Sequence, residues 1–390
     1  MNVPPPLSAE TRVLLGPGPS DVDPAVLRAL SLPTVGHLDP AFLRVMDELR
    51  AMLSEILGAR GGRSTAISAT GSAGMEACVT NLVERGDRVL IGQTGVFGGR
   101  MAEVARRAGA EVTLVEGTWG EPLDLERLRA AADGGRYRLV GIVHAETSTG
   151  VLQPLDGLRE LADELGALVL VDAVTSLAGH PLDVERAGID ALYSGTQKCL
   201  SCPPGLAPVH FSERALERIR NREQPCQSWY LDMELIEGYW GSSRAYHHTA
   251  PVNQLYGMHE ALRQVLLEGL PERYARHALH ANALWAGLEA MGLELRVERP
   301  HRLHPLTAVA IPDGVDDATV RGRLLSEYGI EIGGGLGPMK GNTWRIGLMG
   351  HGSNRRNVNL VLGALGALLE RSERGATAAA DRVYAECGSA

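Results

Sequence analysis

Two lysines, Lys198 and Lys340, occur among the 38 basic residues of this chain, and every other basic residue is arginine. The surviving lysines are informative because an amine can form a Schiff base and a guanidinium cannot. Lys198 follows the β-prone run Ala191–Tyr193, where partial desolvation would lower its pKa and leave a neutral amine able to attack an aldehyde and carry a proton. Lys340 lies in a glycine-rich loop and is expected to be an ordinary solvated lysine.

A carboxylate ends the longest apolar run of the chain, at Asp172 in Leu-Val-Leu-Val-Asp. A buried carboxylate needs a positive partner or hydrogen-bond donors, because an isolated buried charge costs several kcal/mol or more. A protonated pyridine nitrogen would be such a partner. A metal ion and a capped turn are the alternatives that this segment leaves open.

A turn of small residues joins a strand to a helix at Ala69-Thr-Gly-Ser-Ala-Gly-Met-Glu-Ala77. Glycines allow the backbone to approach a ligand closely, and the free N–H groups of a helix N-terminus favour a phosphate. The spacing matches neither a Walker loop nor a dinucleotide fingerprint, and an ordinary tight turn is the alternative.

The elements that must position these residues alternate between strand and helix. β-prone runs and helical segments follow one another after a first amphipathic helix, a pattern that predicts an α/β fold with a mostly parallel sheet flanked by helices. Ligands bind at the carboxyl ends of such strands, so Asp172 and Lys198 should share one edge. The predicted strands are Thr65–Ala69, Arg88–Ile91, Val112–Val115, Leu139–Val143, Leu168–Val171 and Ala191–Tyr193, and the predicted helices are Asp39–Leu57, Met75–Val83, Gly99–Ala108, Leu123–Ala132 and Leu155–Leu165.

The texture changes after Tyr246 to long helices and then to a smaller αβ segment. We predict an N-terminal arm and substrate loop (residues 1–20), a large domain (21–255) and a small C-terminal α+β domain (256–390). The Ala-rich tail from about Glu373 is either frayed or a final short helix. In this part the predicted helices are Leu255–Glu268, Glu272–Met291, Asp317–Tyr328 and Asn354–Arg371, and the predicted strands are Thr307–Ile311 and Thr343–Gly347.

Together, a phosphate-binding turn, a partner for a pyridinium and a Schiff-base amine meet the requirements of pyridoxal 5′-phosphate. We therefore predict a pyridoxal-phosphate enzyme with Lys198 and Asp172 as its catalytic residues.

Five stretches carry a resemblance to a known family: HAETSTGVLQPLDG (144–157), VDAVTSLAG (171–179), YSGTQKCLSCPPG (193–205), YHHTAPV (246–252) and GGLGPMKGNTWRIGLMG (334–350). With them, most of the chain resembles the class V aminotransferases, in particular the alanine–glyoxylate and serine–pyruvate branch. The resemblance implies fold type I with a seven-stranded sheet. It also implies ping-pong transfer of the amino group of alanine or serine to glyoxylate or pyruvate.

The resemblance further implies which residues bind the cofactor. Phe97 stands where relatives often carry tryptophan, and Ser72 where some carry a larger residue. The implied contacts are Thr70, Gly71, Ser72 and Gln197 for the phosphate, Phe97 and Val174 for the two ring faces, Ser148 near the ring oxygen, Asp172 for the ring nitrogen and Lys198 for the aldehyde.

Substrate and partner contacts follow from the same resemblance. Arg345 would clamp the substrate carboxylate, a task that suits the fork of a guanidinium. Gly18 and Ser148 would also line the substrate pocket. Tyr246 and Thr249 would reach the phosphate of the neighbouring subunit, which implies a homodimer with a shared active site.

Composition disfavours other classes of protein. A net charge of −9 gives no electrostatic attraction to nucleic acid or anionic membranes, and the longest apolar stretch is too short to span a bilayer. The N-terminus lacks the features of a signal peptide, and five scattered cysteines suggest reduced thiols. We expect a cytoplasmic protein.

Other candidates have ordinary interpretations. Cys199 and Cys202 have CxxC spacing without a second pair, so no metal site is predicted there. His247 and His248 are expected to orient an interface loop, and His37 to border the pocket or support a turn.

Competing functions are serine–glyoxylate or 2-aminoethylphosphonate–pyruvate transamination, a pyridoxal-phosphate lyase or desulfurase that would use Cys226, and a non-catalytic binding protein.

Overall fold

The computed structural model of the protein describes residues 3–388, so residues 1–2 of the predicted arm and 389–390 of the predicted small domain lie outside it. The strands, numbered in chain order, are β1 (Val13–Leu14), β2 (Arg63–Ile67), β3 (Arg88–Gln93), β4 (Glu111–Glu116), β5 (Leu139–Val143), β6 (Ala145–Glu146), β7 (Val151–Leu152), β8 (Leu168–Asp172), β9 (Ala191–Tyr193), β10 (Ala207–Phe211), β11 (Leu306–Ala310), β12 (Ile330–Glu331), β13 (Gly333–Gly334) and β14 (Thr343–Gly347).

The helices connect and cover these strands, with short 3₁₀ turns at Arg299–His301, Gly337–Met339 and Gly350–Gly352. The α-helices are α1 (Pro24–Leu30), α2 (Pro40–Leu57), α3 (Gly71–Leu82), α4 (Val96–Arg107), α5 (Leu125–Ala131), α6 (Leu158–Glu164), α7 (Glu213–Arg220), α8 (Met233–Trp240), α9 (Val252–Glu268), α10 (Leu270–Ala290), α11 (Asp317–Tyr328), α12 (Arg355–Leu368) and α13 (Glu373–Gly388).

A seven-stranded sheet forms the centre of the molecule, in the order β2-β10-β9-β8-β5-β3-β4. Neighbours from β9 to β4 are parallel, whereas β10 runs antiparallel to both β2 and β9. Helices α2, α3, α4 and α6 pack against its strands. The predicted α/β fold, with a mostly parallel seven-stranded sheet flanked by helices, is confirmed.

The strand β10 was not predicted from the sequence. Pro208 lies inside it and has no N–H group, which normally argues against a strand within a sheet. Pro208 still takes part in the sheet through its carbonyl oxygen, which accepts the Ser194 N–H at 2.8 Å.

Buried apolar strands explain the order of the sheet. All five residues of β5 and all five of β8 are buried, as expected for central strands covered on both faces. The carboxyl end of β8 places Asp172 beside Tyr193 at the end of β9. The chemistry predicted at this edge is therefore built on the most deeply buried part of the sheet.

The C-terminal part packs around its own apolar cluster. An antiparallel sheet in the order β11-β14-β13 carries helices α10 to α13, and α13 contributes the buried Ala376 and Ala380. Those contacts explain why the tail forms a helix rather than fraying. The N-terminal β1 pairs in parallel with β12, which ties the start of the chain to this part.

The predicted division at residues 255 and 256 lies inside α9. The buried face of α9, with Leu255, Met258 and Leu262, packs into the cluster of the large sheet, whereas α10 joins the second cluster from Ala283 onward. The position of the domain boundary stays a prediction. Within residues 3–388, no helix combines the length and apolarity needed to cross a membrane.

Candidate active site

A cavity opens at the carboxyl edge of the large sheet, between the starts of α3 and α4 and the loops after β8 and β9. Seven residues predicted from widely separated segments line it together: Gly71, Ser72, Phe97, Asp172, Val174, Gln197 and Lys198. The sheet therefore brings the phosphate-binding turn, the carboxylate and the amine to one place.

Lys198 is held in a nearly closed environment. Its side chain is 8% exposed, and Nζ donates to the Pro17 carbonyl oxygen. A Cβ atom at Gly18, whose φ is +120°, would lie 2.5 Å from Nζ, so the loop needs glycine both for its conformation and for this close approach. Burial and, to a smaller extent, the nearby Arg345 lower the pKa of Lys198 to about 8, whereas Cys199 and Asp172 oppose the shift. About a tenth of the amine is therefore neutral at pH 7, far more than for a solvated lysine.

Asp172 is anchored by two donors at the end of β8. Its Oδ1 accepts the Val174 N–H at 2.8 Å and its Oδ2 accepts the Tyr193 hydroxyl at 2.7 Å. Burial raises the pKa of Asp172 to about 7 in spite of these bonds. A cationic partner in the cavity would restore its charge. The backbone contact is that of a capped turn, and the part of the chain described here contains no group of three or more His, Cys, Asp or Glu arranged to hold a metal.

The start of α3 has unused hydrogen-bond donors. Thr70 is the N-cap, but within residues 3–388 its side chain makes no capping bond, so the N–H groups of Gly71 and Ser72 are free for a ligand. The Ala73 N–H, by contrast, donates to the Thr70 carbonyl oxygen at 2.8 Å. Gly71 and Ser72 line the cavity, whereas Thr70 lies beside it. The amide of Gln197 also ends there, with a buried Oε1 that has no partner within residues 3–388.

The predicted helix starts were late by three or four residues. Prediction placed the starts of α3 and α4 at Met75 and Gly99, but they begin at Gly71 and Val96. Small residues at both starts lack apolar periodicity, which is why the pattern missed them. The earlier start of α3 is what turns its first N–H groups toward the cavity.

Ser148 is not where the prediction placed it. Its hydroxyl donates to Glu146 Oε1 at 2.6 Å and accepts the Val96 N–H at 2.9 Å, and Ser148 does not line the cavity. The neighbouring Thr147 lines it instead. Several hydroxyl residues follow one another in this segment, and the sequence alone does not show which one faces the cavity.

Arg345 lies on β14 behind this segment. It is 7% exposed, and its Nε and Nη1 donate to the carbonyl oxygens of Gly334 at 2.8 Å and Thr147 at 3.1 Å. Within the described residues Nη2 takes part in no hydrogen bond, so one arm of the fork is free. Burial lowers the pKa of Arg345, an effect that the charge of Glu146 opposes.

Tyr246 and Thr249 lie outside the cavity of their own chain. The Tyr246 side chain is 63% exposed, and its hydroxyl is 3.5 Å from Thr249 Oγ1. The ring of His37 packs against Tyr246, with centroids 5.4 Å apart. The Nε2 atom of His248 and the hydroxyl of Ser68, which lies just before the start of α3, share a hydrogen bond of 2.7 Å.

Three of the cysteines and Lys340 lie outside the lining of the cavity. Cys199 and Cys202 are buried free thiols whose pKa values burial raises to about 11 and about 12. Cys226 is half-buried, and its thiol donates to the Thr80 carbonyl oxygen at 3.6 Å. Lys340 is exposed.

Sequence reasoning missed Tyr193, Thr147, Arg100, Met75 and Glu146. The first four line the cavity, and Glu146 is fully buried behind it. Tyr193 and Thr147 lay in stretches already singled out, so their position at strand ends was the available signal. Arg100 and Met75 lie one turn into helices whose starts were misplaced.

The family is identified by comparison with known proteins. The model of the family described as aminotransferase class-V matches residues 20–342. The chain belongs to the class-V aminotransferases.

Relatives of this class-V aminotransferase have been solved. The alanine–glyoxylate aminotransferase from Nostoc sp. is 48% identical, with a TM-score of 0.93 over 94% of this chain and 98% of that chain. The ureidoglycine–glyoxylate aminotransferase from Bacillus subtilis is 40% identical, with a TM-score of 0.95 over 97% and 100%. An alanine–glyoxylate aminotransferase of Callithrix jacchus is 40% identical, covering 94% of this chain and 89% of that protein. The chain is an aminotransferase with the fold of these relatives.

Proposed function

We propose that the protein is a pyridoxal-phosphate-dependent aminotransferase that transfers the amino group of a small amino acid, alanine or serine, to glyoxylate or pyruvate. The observation that carries the proposal is the shared cavity of Lys198 and Asp172, an amine and a carboxyl that burial shifts toward their neutral forms. Two relatives of different donor specificity both carry glyoxylate in their names, which supports glyoxylate as the acceptor.

The residues of the cavity fit pyridoxal phosphate. The free N–H groups at the start of α3 suit its phosphate, and Gln197, which lines the cavity, carries a side-chain NH₂ group that can donate to it. Phe97 and Val174 offer an aromatic and an aliphatic wall for its ring, and Asp172 an anion for its ring nitrogen. When bound, the cofactor supplies an aldehyde for the amine and a ring that accepts electrons.

The chain's own groups then have distinct tasks. Neutral Lys198 would take a proton from the α-carbon of the amino donor and pass it, in the same half of the cycle, to the cofactor carbon that receives the amino group, a role that a pKa of about 8 suits. The second half of the cycle would run this transfer in reverse with the keto acid acceptor. The free arm of Arg345 binds the substrate carboxylate. The loop at Pro17 and Gly18 closes over Nζ and keeps water from it.

A second candidate is transfer from (S)-ureidoglycine to glyoxylate. A relative named (S)-ureidoglycine–glyoxylate transaminase is 39% identical over 95% of this chain and 93% of its own length. A desulfurase is disfavoured, because Cys226 lies against the Thr80 carbonyl oxygen and not at the cavity.

The visible absorbance of the purified protein tests the proposal. The band of bound pyridoxal phosphate should fade on addition of L-alanine and return with glyoxylate, and Lys198→Ala should abolish both changes. Lys340→Ala is the matched control and should behave as the wild type. (S)-Ureidoglycine in place of alanine tests the second candidate. A protein that takes up no pyridoxal phosphate would overturn the proposal.

We further propose a homodimer in which each subunit completes the other's site. The exposed Trp229 and Tyr246, at 62% and 63%, support a buried interface in an assembly. Tyr246 and Thr249 would then reach the partner's phosphate. We expect Lys198→Ala and Thr249→Ala each to be inactive alone. Mixing the two variants should restore part of the activity, because in a mixed dimer one site has both an intact lysine and an intact threonine from the other subunit. Light scattering that shows a monomer would contradict this.

We place the protein in the cytoplasm. The cysteines described are all free, and three of them are buried, as expected for a reducing compartment. Cell fractionation with antibodies to the protein tests the location. The net charge of −9 also supports substrates and a second subunit, rather than nucleic acid, as its partners.

A further inference from the structure

The N-terminus of α4 is capped by a distant segment of the chain. Gly95 occupies the N-cap position and has no side chain to accept a hydrogen bond. Ser148 Oγ accepts the Val96 N–H at 2.9 Å, and Glu146 Oε2 accepts the Phe97 N–H at 3.2 Å. Gly98 also donates its N–H to Glu146. The first three N–H groups of the helix are therefore satisfied by residues some 50 positions later in the chain.

Glu146 has no freedom to leave this position. It is 0% exposed, and its Oε1 accepts both the N–H and the hydroxyl of Ser148, at 3.0 and 2.6 Å. A Cβ atom at Gly95 would lie 2.5 Å from Glu146 Cδ, and one at Gly98 would lie 2.8 Å from Gln93 Cα. Close packing on both sides holds the carboxylate against the helix start.

The helix end also suits the charge of this carboxylate. Every hydrogen bond described for Glu146 is one that it accepts, and the positive end of the helix dipole points at it. Burial raises the pKa of Glu146, and the bonds from Ser148, Phe97 and Gly98 oppose that rise.

Two walls of the cavity depend on this cap. Phe97 is the second residue of α4, and its ring lines the cavity with the Arg100 guanidinium 4.9 Å from its centroid. Thr147, directly after Glu146, also lines the cavity and accepts a bond from Arg345 through its carbonyl oxygen. A shift of the Glu146 segment would move both walls.

We propose that Glu146 is a positioning residue of the aminotransferase site: its buried carboxylate caps α4 across the fold and thereby fixes the ring of Phe97 against the cofactor. This inference rests on the proposed function, because it assigns Phe97 to the ring of pyridoxal phosphate. Glu146 itself touches neither substrate nor cofactor.

Cofactor affinity in a double-mutant cycle tests the proposal. In Glu146→Gln an amide NH₂ replaces one of the acceptor oxygens, so at least one N–H group loses its partner, and pyridoxal phosphate should bind about tenfold more weakly. In a Phe97→Leu background Glu146→Gln should weaken cofactor binding little further, since the aromatic ring that Glu146 positions is already absent. Equal losses in both backgrounds would overturn the proposal.

A matched control separates positioning from general destabilisation. Asp190 is also a buried carboxylate with a backbone donor, the Val169 N–H at 2.9 Å, and an arginine partner, Arg159 at 2.7 Å, but it lies away from the cavity. Asp190→Asn should lower the thermal midpoint without weakening cofactor binding. If Asp190→Asn weakens binding as much as Glu146→Gln, the effect is not positioning and the proposal fails.

Hydrogen exchange in the cofactor-free protein gives a readout independent of the proposed function. The amides of Val96 and Phe97 should exchange faster in Glu146→Gln than in the wild type. Ser148→Ala, which removes one member of the cap, should act in the same direction if Glu146→Gln does not fold. Unchanged exchange in the variant that folds overturns the capping argument, whereas a wild type that binds no pyridoxal phosphate overturns the proposed function alone.

Discussion

At the scale of residues, burial acts in opposite directions on the two titratable groups of the cavity. It raises the pKa of Asp172 to about 7 and lowers that of Lys198 to about 8. Near pH 7 each group thus has a larger neutral fraction than it would have in water, and each would be stabilised by a partner that fits its chemistry. A protonated ring nitrogen would recharge Asp172, and an aldehyde would react with neutral Lys198.

Asp172→Asn tests the role of the carboxylate in the reaction. The amide keeps the shape and can still accept the Val174 N–H, but it cannot carry the negative charge that holds a ring nitrogen protonated. We expect kcat to fall on the order of a hundredfold, with KM changed far less. Steady-state kinetics with saturating cofactor measures both. Asp190→Asn is the control. If Asp172→Asn raised KM about a hundredfold and left kcat unchanged, the assignment would be contradicted.

The pH dependence of cofactor capture tests the amine. Only neutral Lys198 attacks an aldehyde, so in the cofactor-free protein the capture rate should rise with pH and level off above about 8. Arg345 lowers the pKa of Lys198, so Arg345→Met should move the midpoint to higher pH. Stopped-flow absorbance follows the capture.

Arg323→Met on the exposed face of α11 is the control for that experiment, because Arg323 pairs with Glu327 away from the cavity. Its midpoint should match the wild type. A midpoint in Arg345→Met that stays in place or moves to lower pH would show that the two cations do not interact.

At the scale of elements, the sequence predicted most of the strands and helices that have a regular pattern of apolar residues. Strands β5, β9 and β14 and helix α11 were predicted with the bounds that the structure shows, because each is a buried or amphipathic run. The starts of α3 and α4 were missed because Gly, Ser and Ala carry no apolar period. The bonds of Glu146 and Ser148 were unpredictable because they join segments about 50 residues apart. The sequence did not show that Thr147, rather than Ser148, lines the cavity, because hydroxyl residues follow one another there.

The loop before α1 gives a prediction at this scale. Gly18→Ala puts a Cβ atom 2.5 Å from Lys198 Nζ and strains a backbone at φ +120°. We expect kcat/KM to fall about tenfold and stability to fall by about 1–3 kcal/mol. Gly36→Ala is the matched control, since a Cβ atom there meets nothing within 4 Å. Kinetics and thermal unfolding of both variants decide; a fully active Gly18→Ala would show that the loop does not constrain the amine.

At the scale of the whole molecule, the small C-terminal part completes the site made by the large sheet. Strand β1 pairs with β12 and leads into the loop that contacts Lys198 through Pro17. Arg345 reaches from β14 to the Thr147 carbonyl oxygen. The family resemblance predicted Gly18 of this loop and Arg345 as substrate-pocket residues, but only the three-dimensional packing shows that the loop and Arg345 join the two parts.

A row of three histidine rings gives a prediction about stability in acid. His180 lies between His144, which it meets edge to face, and His304, against which it is tilted, with ring centroids 5.8 and 5.2 Å away. The Nδ1 atoms of His144 and His180 are buried without partners in the described chain. Burial lowers the pKa of His144 to about 4 and of His180 to about 3.

His180→Leu should therefore reduce the loss of stability in acid. The unfolded chain binds protons at histidine below about pH 6.5, whereas folded His180 stays neutral down to about 3, so stability is full above 6.5 and is lost progressively as pH falls toward 3. Between pH 7 and 5 the thermal midpoint of His180→Leu should fall by about 3 °C less than that of the wild type. Scanning calorimetry measures the midpoints. His301→Leu, on the 3₁₀ turn Arg299–His301, is the control, and parallel pH curves for wild type and His180→Leu would show that this imidazole does not drive the acid sensitivity.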